Sequence, residues 1–349
     1  MRQTRTITRR PALQIVGWIA IATNLLPAST ASLALPCFDG GSKTSDRVPV
    51  NGDSVIRARS GSSEIVITTT NRLAGAIHSL TWNGKEFIDS HDHGRQLQSA
   101  ASFDRAASGE FWAECYNPTE AGSRADGSGG RSTSQLLQIS AEGRELRTST
   151  RMAFWLAPGE RSSGRPALNS TILSNHLVTK RVQIGGSSEF VARARKALEN
   201  IVEYDVTFIV PKEEAHTYAQ FEAVTGYMPS EFSRFWKLPR STRKLEPLDD
   251  GPGEQPHPVI FSNPSGSHAM GVFSPDQPSP GFEDAGYGRF RFEQEKVVKW
   301  NCVFRLRDKQ GIAAGEYRFR QFVAVGTLQD VTRVLETLFD LFPKEQPDK

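Results

Sequence analysis

The sequence has only three cysteines in 349 residues, too few to frame a small disulfide scaffold. It has no apolar run of the roughly 20 residues needed to cross a bilayer as a helix. The longest candidate, from Ala12 to Leu26, is broken at Asn24, and Pro27 follows it. A surplus of one charge sign is also missing. The formal charge is +3, but four arginines sit at positions 2, 5, 9 and 10, and without residues 1–34 the chain carries 38 basic against 39 acidic side chains, a net −1. With neither a basic surplus nor a basic stripe, there is no electrostatic case for nucleic acid as a partner.

What is present at the N-terminus is a cluster of arginines without acids, then the short apolar run, then the small-residue stretch ending Ser32-Leu33-Ala34. That order is the layout of a signal peptide, and cleavage is expected near Ala34. A retained single-span anchor is the alternative, and no second apolar segment supports it. Thr8-Arg9-Arg10-Pro11-Ala12-Leu13 also resembles a twin-arginine signal, which implies export in the folded state. Cys37 follows Ala34-Leu35-Pro36, an unsuitable context for lipoprotein processing. The expected product is periplasmic or secreted, with no stable membrane span after processing. In that oxidising setting Cys115 and Cys302 either pair or remain separate buried thiols.

Short β-branched, partly alternating runs recur at 55–58, 64–70, 76–82, 85–88, 135–140, 147–156, 177–184, 201–210, 258–262, 269–273, 296–307 and 317–325. Asn83-Gly84 between two of them is a hairpin signal. Strands at this density predict a mainly β fold, an antiparallel sandwich formed by one large domain over residues 35–349. The exception is the C-terminus, where Thr327 and Asp330 form a capping-box start and Val331, Val334, Leu335, Leu338 and Phe342 repeat at helical spacing until Pro343. A second short helix is expected within 188–199. Long loops at 122–133 and 245–258 are candidate carriers of binding residues.

Four polar or aromatic clusters can carry chemistry. Asp89, His91, Asp92, His93, Gly94, Arg95, Gln96 and Gln98 follow a strand pair, and alternation with a turn at Gly94 can bring His91, His93, Arg95 and either Gln96 or Gln98 to one surface. A His-Asp-His run can hold a metal, but the spacing identifies no further ligands, so no metal and no cofactor are assigned. Glu110 to Glu120 sets carboxylates among aromatic rings, as a sugar site does, with Trp112, Glu114, Asn117 and Glu120 as candidates. Tyr227 lies in a third cluster with Phe232, Phe235 and Trp236. The fourth runs through Tyr287, Arg289, Phe290, Arg291 and Phe292, with Lys299-Trp300-Asn301 behind it, and Glu254 lies in the acidic loop. Tyrosine beside arginine and lysine also suits a uronate lyase, while the alternating Phe290 and Phe292 read equally as a half-buried strand.

Gly75-Ala76-Ile77-His78-Ser79-Leu80 and Asn83-Gly84-Lys85-Glu86 resemble the opening strands of galactose-mutarotase-like domains. That resemblance covers about a tenth of the chain. It implies an antiparallel β-supersandwich whose concave sheet binds a saccharide, a fold shared by mutarotases, polysaccharide lyases and accessory domains of glycosidases. Asp92 to Gln98 and Tyr116-Asn117-Pro118 are similar to segments of a secreted bacterial family. The expected function is a carbohydrate-active enzyme cleaving glycosidic bonds, as a hydrolase rather than a lyase. Its expected catalytic residues are His93, Glu114 and Glu120, and its expected saccharide contacts are Arg95, Gln98, Trp112, Asn117, Tyr227, Glu254, Tyr287, Arg289 and Trp300. The alternative is a non-catalytic glycan-binding protein with Trp112, Tyr227 and Trp300 as platforms.

Overall fold

The computed structural model describes residues 50–104, 111–194, 198–275 and 285–343; the expected signal at 1–34 and Cys37 lie outside the described residues. The fold is mainly β and antiparallel, with one C-terminal helix. In chain order the strands of four residues or more are β1 (Ser54–Ser60), β2 (Ser63–Thr69), β3 (Ile77–Trp82), β4 (Leu97–Phe103), β5 (Gln135–Glu142), β6 (Glu145–Phe154), β7 (Leu173–Ile184), β8 (Ile201–Val210), β9 (Tyr218–Pro229), β10 (Arg234–Lys237), β11 (Val259–Ser262), β12 (Ala269–Phe273), β13 (Gly286–Phe292), β14 (Val297–Arg307) and β15 (Gly315–Gly326). The helices are α1 (Ser188–Ala194) and α2 (Leu328–Leu341).

Pairing divides these strands into two sheets. The first runs β1-β2-β3-β4-β9-β14-β13 and ends on the short strand Gly253–Gln255. The second runs β5-β6-β7-β8-β15-β12-β11-β10. Pro118–Thr119 pairs with β4 on one side and β6 on the other, so it joins the two sheets. The expected hairpin is present: Asn83 (φ 51°) and Gly84 (φ 71°) both take the left-handed conformation that a type I′ turn requires, linking β3 to Lys85–Glu86.

Alternation decides which face of each strand is buried. In β7 the residues Ser174, His176, Val178, Lys180, Val182 and Ile184 are buried while their neighbours are half-exposed or exposed. The main core fills the space between the sheets, with Ile56, Ile67, Leu97, Phe103, Phe221, Trp300 and Phe304 from the first meeting Val178, Val206, Phe208, Phe319 and Val323 from the second. A second core lies on the outer face of the second sheet. There Val331, Val334, Leu335, Leu338 and Phe339 of α2 cover Ile201, Ile260, Ala269, Phe322 and Ala324. The helix starts at the expected capping box of Thr327 and Asp330. At its other end Arg240 donates to the carbonyls of Phe339 and Phe342 at 2.9 and 2.8 Å, satisfying acceptors that the helix leaves open. Cys115 and Cys302 are both buried and do not pair with each other.

Candidate functional site

The three side chains expected to transfer protons are each committed elsewhere. His93 is 1% exposed, with Nδ1 2.8 Å from the Gly127 carbonyl oxygen and Nε2 2.9 Å from that of Arg72. Glu120 is enclosed between the sheets, ion-paired with Lys180 and accepting the Ser99 amide at 3.1 Å. Glu114 accepts the Ser162 hydroxyl. Neither His93 nor Glu120 reaches solvent, so the shared site expected of these residues does not form.

Of the expected saccharide contacts, Trp300 and Tyr287 belong to the main core. Trp300 packs where a side chain on Gly226 would stand, and the Tyr287 hydroxyl accepts the Ser274 amide at 2.9 Å. Asn117 donates to the Ala101 carbonyl and the Ser102 hydroxyl, pinning its own loop to β4. Gln98 is buried, bridging the Gly94 carbonyl and the Ala121 amide. Trp112 is 38% exposed, with the Arg165 guanidinium 5.0 Å from its ring centroid. Arg289 alternates with Gly288 and Phe290, so it points to the other face, where it binds Asp249. Arg95, Tyr227 and Glu254, by contrast, converge on the outer face of the first sheet.

That face is built by a β-bulge in β9. Glu222 pairs with Ala100 and Thr225 with Gln98, so three steps along β9 match two along β4. The extra residue turns Ala223 and Val224 both into the core and leaves Glu222 and Thr225 on the same outer side, where Thr225 Oγ1 donates to Glu222 Oε2 at 2.8 Å. Tyr227 follows on this side, and across the ladder stand Asn301 opposite Thr225 and Lys299 opposite Tyr227. Lys299 Nζ donates to Glu222 Oε2 at 3.1 Å. Further along β14, Arg305 Nη2 lies 2.8 Å from Glu254 Oε2, the carboxylate coming from Gly253–Gln255 beyond β13. At the rim Arg95 donates to Asp92 at 2.8 Å.

Gly286 and Gly288 of β13 carry no side chain and make room for their neighbours: a Cβ on Gly286 would stand 2.4 Å from Glu254 Oε2, and one on Gly288 2.1 Å from Asn301 Oδ1. Beside them an edge of parallel rings runs Tyr227, Phe292, Phe290, with centroids 6.5 and 6.4 Å apart and interplanar angles of 19° and 11°. Phe292 is 37% exposed. Burial pushes the Glu222 carboxyl upward, but Lys299 beside it and the hydrogen bonds from Thr225 and Asn301 outweigh that and hold it below the usual carboxylate range. Burial lowers Lys299, and Glu222 and Tyr227 more than reverse this. Glu222 is therefore a fixed anion beside a fixed cation.

The sequence places Lys299 and Asn301 in the fourth cluster without a site role and singles out neither Glu222 nor Arg305. The alternation of Lys299, Asn301 and Arg305 along β14 is a signal that could have joined these three. Glu222 is hidden by the bulge, which breaks the alternation of its strand.

No protein-family model matches the sequence, and no curated protein matches it. Solved structures similar to the chain include an α-mannosidase from Enterococcus faecalis, 11% identical over 80% of this chain and 30% of that one, with a TM-score of 0.46. A Klebsiella pneumoniae protein assigned to the aldose 1-epimerases is 9% identical over 86% of this chain and 90% of its own, with a TM-score of 0.41. A heparan sulfate lyase from Pedobacter heparinus is 8% identical over 82% of this chain and 37% of its own, with a TM-score of 0.39.

Proposed function

We propose that this chain is an exported protein that seats a neutral saccharide on the outer face of β4, β9, β14 and β13. The observation that supports this reading is the joining of a stacked aromatic edge, Tyr227, Phe292 and Phe290, to a polar floor of paired charges. Flat rings cover the apolar face of a pyranose, while closely set donors and acceptors suit its hydroxyls. Lys299, Arg305 and Arg95 are each neutralised by a carboxylate. An acidic sugar needs an uncompensated cation instead, which argues against a uronate ligand.

A specific arrangement favours a second reading, cleavage of a glycosidic bond. Glu222 on β9 and Glu254 on Gly253–Gln255 stand on one face with β14 and β13 between them, on backbones about 14 Å apart at the usual strand spacing. Two carboxylates across a saccharide groove are the equipment of glycoside hydrolysis. Glu222, held ionised by Lys299, suits the base or nucleophile.

Calorimetric titration of the mature chain with neutral and acidic oligosaccharides tests the first reading, and new reducing ends on the same panel test the second. Binding of a neutral sugar that weakens about fivefold or more in Phe292→Ala fits the loss of one stacking ring. Reducing ends that vanish in Glu222→Gln support hydrolysis. Preference for uronates with unsaturated products, or binding indifferent to Phe292 and Lys299, would overturn the assignment of this face. Export is checked by whether the processed chain begins just after Ala34.

A further inference from the structure

A second cluster lies away from the saccharide face, at one end of the space between the sheets. His176 projects inward from β7, and Glu214 and His216 stand on the connection from β8 to β9. Nε2 of His176 is 2.6 Å and Nε2 of His216 is 3.1 Å from the same Glu214 Oε2. All three ligand atoms lie within 4.8 Å of one another. The Tyr116 hydroxyl adds a further hydrogen bond to Glu214.

The surroundings fix these groups. Nδ1 of His216 lies 2.7 Å from the Asp104 carbonyl oxygen and donates to it, which fixes the ring with Nε2 facing Glu214. The Asp104 carboxylate accepts the amides of Thr217 and Tyr218 at 2.9 and 3.0 Å, tying the connection to the end of β4. Phe103 packs against both imidazoles, with its centroid 4.8 Å from each. A histidine whose second nitrogen is held by a backbone carbonyl is the usual support of a metal ligand.

We propose that His176, Glu214 and His216 bind a divalent transition-metal ion of the zinc class. Two imidazoles and a carboxylate are a ligand set for zinc and its neighbours. Ligand atoms around tetrahedral zinc stand about 3.3 Å apart, within an ångström of the two separations to Glu214 given above. Glu214 is only half-buried, which leaves an entry path. The ion would clasp β7 of the second sheet to the segment entering β9 of the first. This site is independent of the saccharide reading.

The test is titration of the chelator-stripped full chain with zinc and cobalt, followed by metal content, the cobalt absorption spectrum and thermal denaturation. One equivalent bound, four-coordinate cobalt bands and a metal-dependent rise in Tm are expected. His176→Ala and His216→Ala should each weaken binding by about 100-fold or more, while His91→Gln, at an exposed position, should leave it unchanged. Should a ligand variant lose its native circular dichroism, the cobalt spectrum of the unaltered chain decides. Failure of that chain to take up metal, or binding that survives both ligand variants, overturns the site.

Discussion

Glu120 and Lys180 have no exposed side-chain surface, so each charge is tolerable only beside the other. The pair sits in a polar island inside the sandwich. Glu120 takes the Ser99 amide, and the Ser99 hydroxyl meets the Tyr204 hydroxyl at 2.9 Å and donates to the Ala223 carbonyl at 2.8 Å. Removing one partner leaves a buried charge uncompensated. Lys180→Met should therefore lower stability by about 3–5 kcal/mol, whereas Glu120→Leu combined with Lys180→Met should recover most of that loss. Denaturant midpoints of the single and double variants check this, and a double variant as unstable as Lys180→Met alone would sink it. The same residues show what single side chains do not reveal in sequence. A glutamate reads alike in sequence whether it stands on an outer sheet face, as Glu254 does, or is buried between sheets, as Glu120 is. The distinction depends on Lys180, sixty positions away in the chain.

At the scale of elements, legibility followed local pattern. The Asn83-Gly84 hairpin and the Thr327 cap were readable because each is specified within a few residues. β4, with Leu97-Gln98-Ser99-Ala100-Ala101-Ser102-Phe103, has no β-branched residue and reads as a loop, yet it pairs with β9 along much of its length. Its strand state is imposed by neighbours rather than by propensity. β9 was obscured by its bulge and by Gly226, which admits the Trp300 ring. These two strands carry the centre of the face proposed to bind a saccharide, so the least legible elements position that candidate site. The capping box offers a direct test. Thr327 Oγ1 accepts the Asp330 amide at 3.1 Å and donates to the Asp330 carboxylate at 2.6 Å. Thr327→Ala should cost about 1 kcal/mol. Because α2 is the cover of the second core, that loss should appear in the global denaturation midpoint. Fraying of the helix with an unchanged midpoint would show that the cap serves the helix alone.

For the whole molecule, the titrating groups set the pH range over which the fold holds. On the acid side, burial lowers His78 and His268, so the folded chain keeps them neutral where the unfolded chain takes up protons, and stability starts to fall as pH drops below about 6.5. Glu222, held low by Lys299 against the effect of burial, contributes stability above the ordinary carboxylate value. That contribution is lost as pH falls from about 4.3 through the folded value, which steepens the decline. On the alkaline side, burial raises Cys302, Tyr204 and Tyr227. The unfolded chain then releases protons that the folded chain retains, so stability declines as pH rises above about 8.5 for the thiol and about 10 for the phenols. Lys299, raised by Glu222, adds to the same limb, since its contribution is complete below about 10.4 and lost above it. The curve should be a plateau from about pH 6.5 to 8.5 with a fall on each side. Urea midpoints across the range measure it directly. Lys299→Met should flatten the acid limb, because Glu222 would then lose the charge that holds its proton off. A midpoint still rising beyond pH about 9, where the buried thiol and phenols require a decline, would refute the assignment.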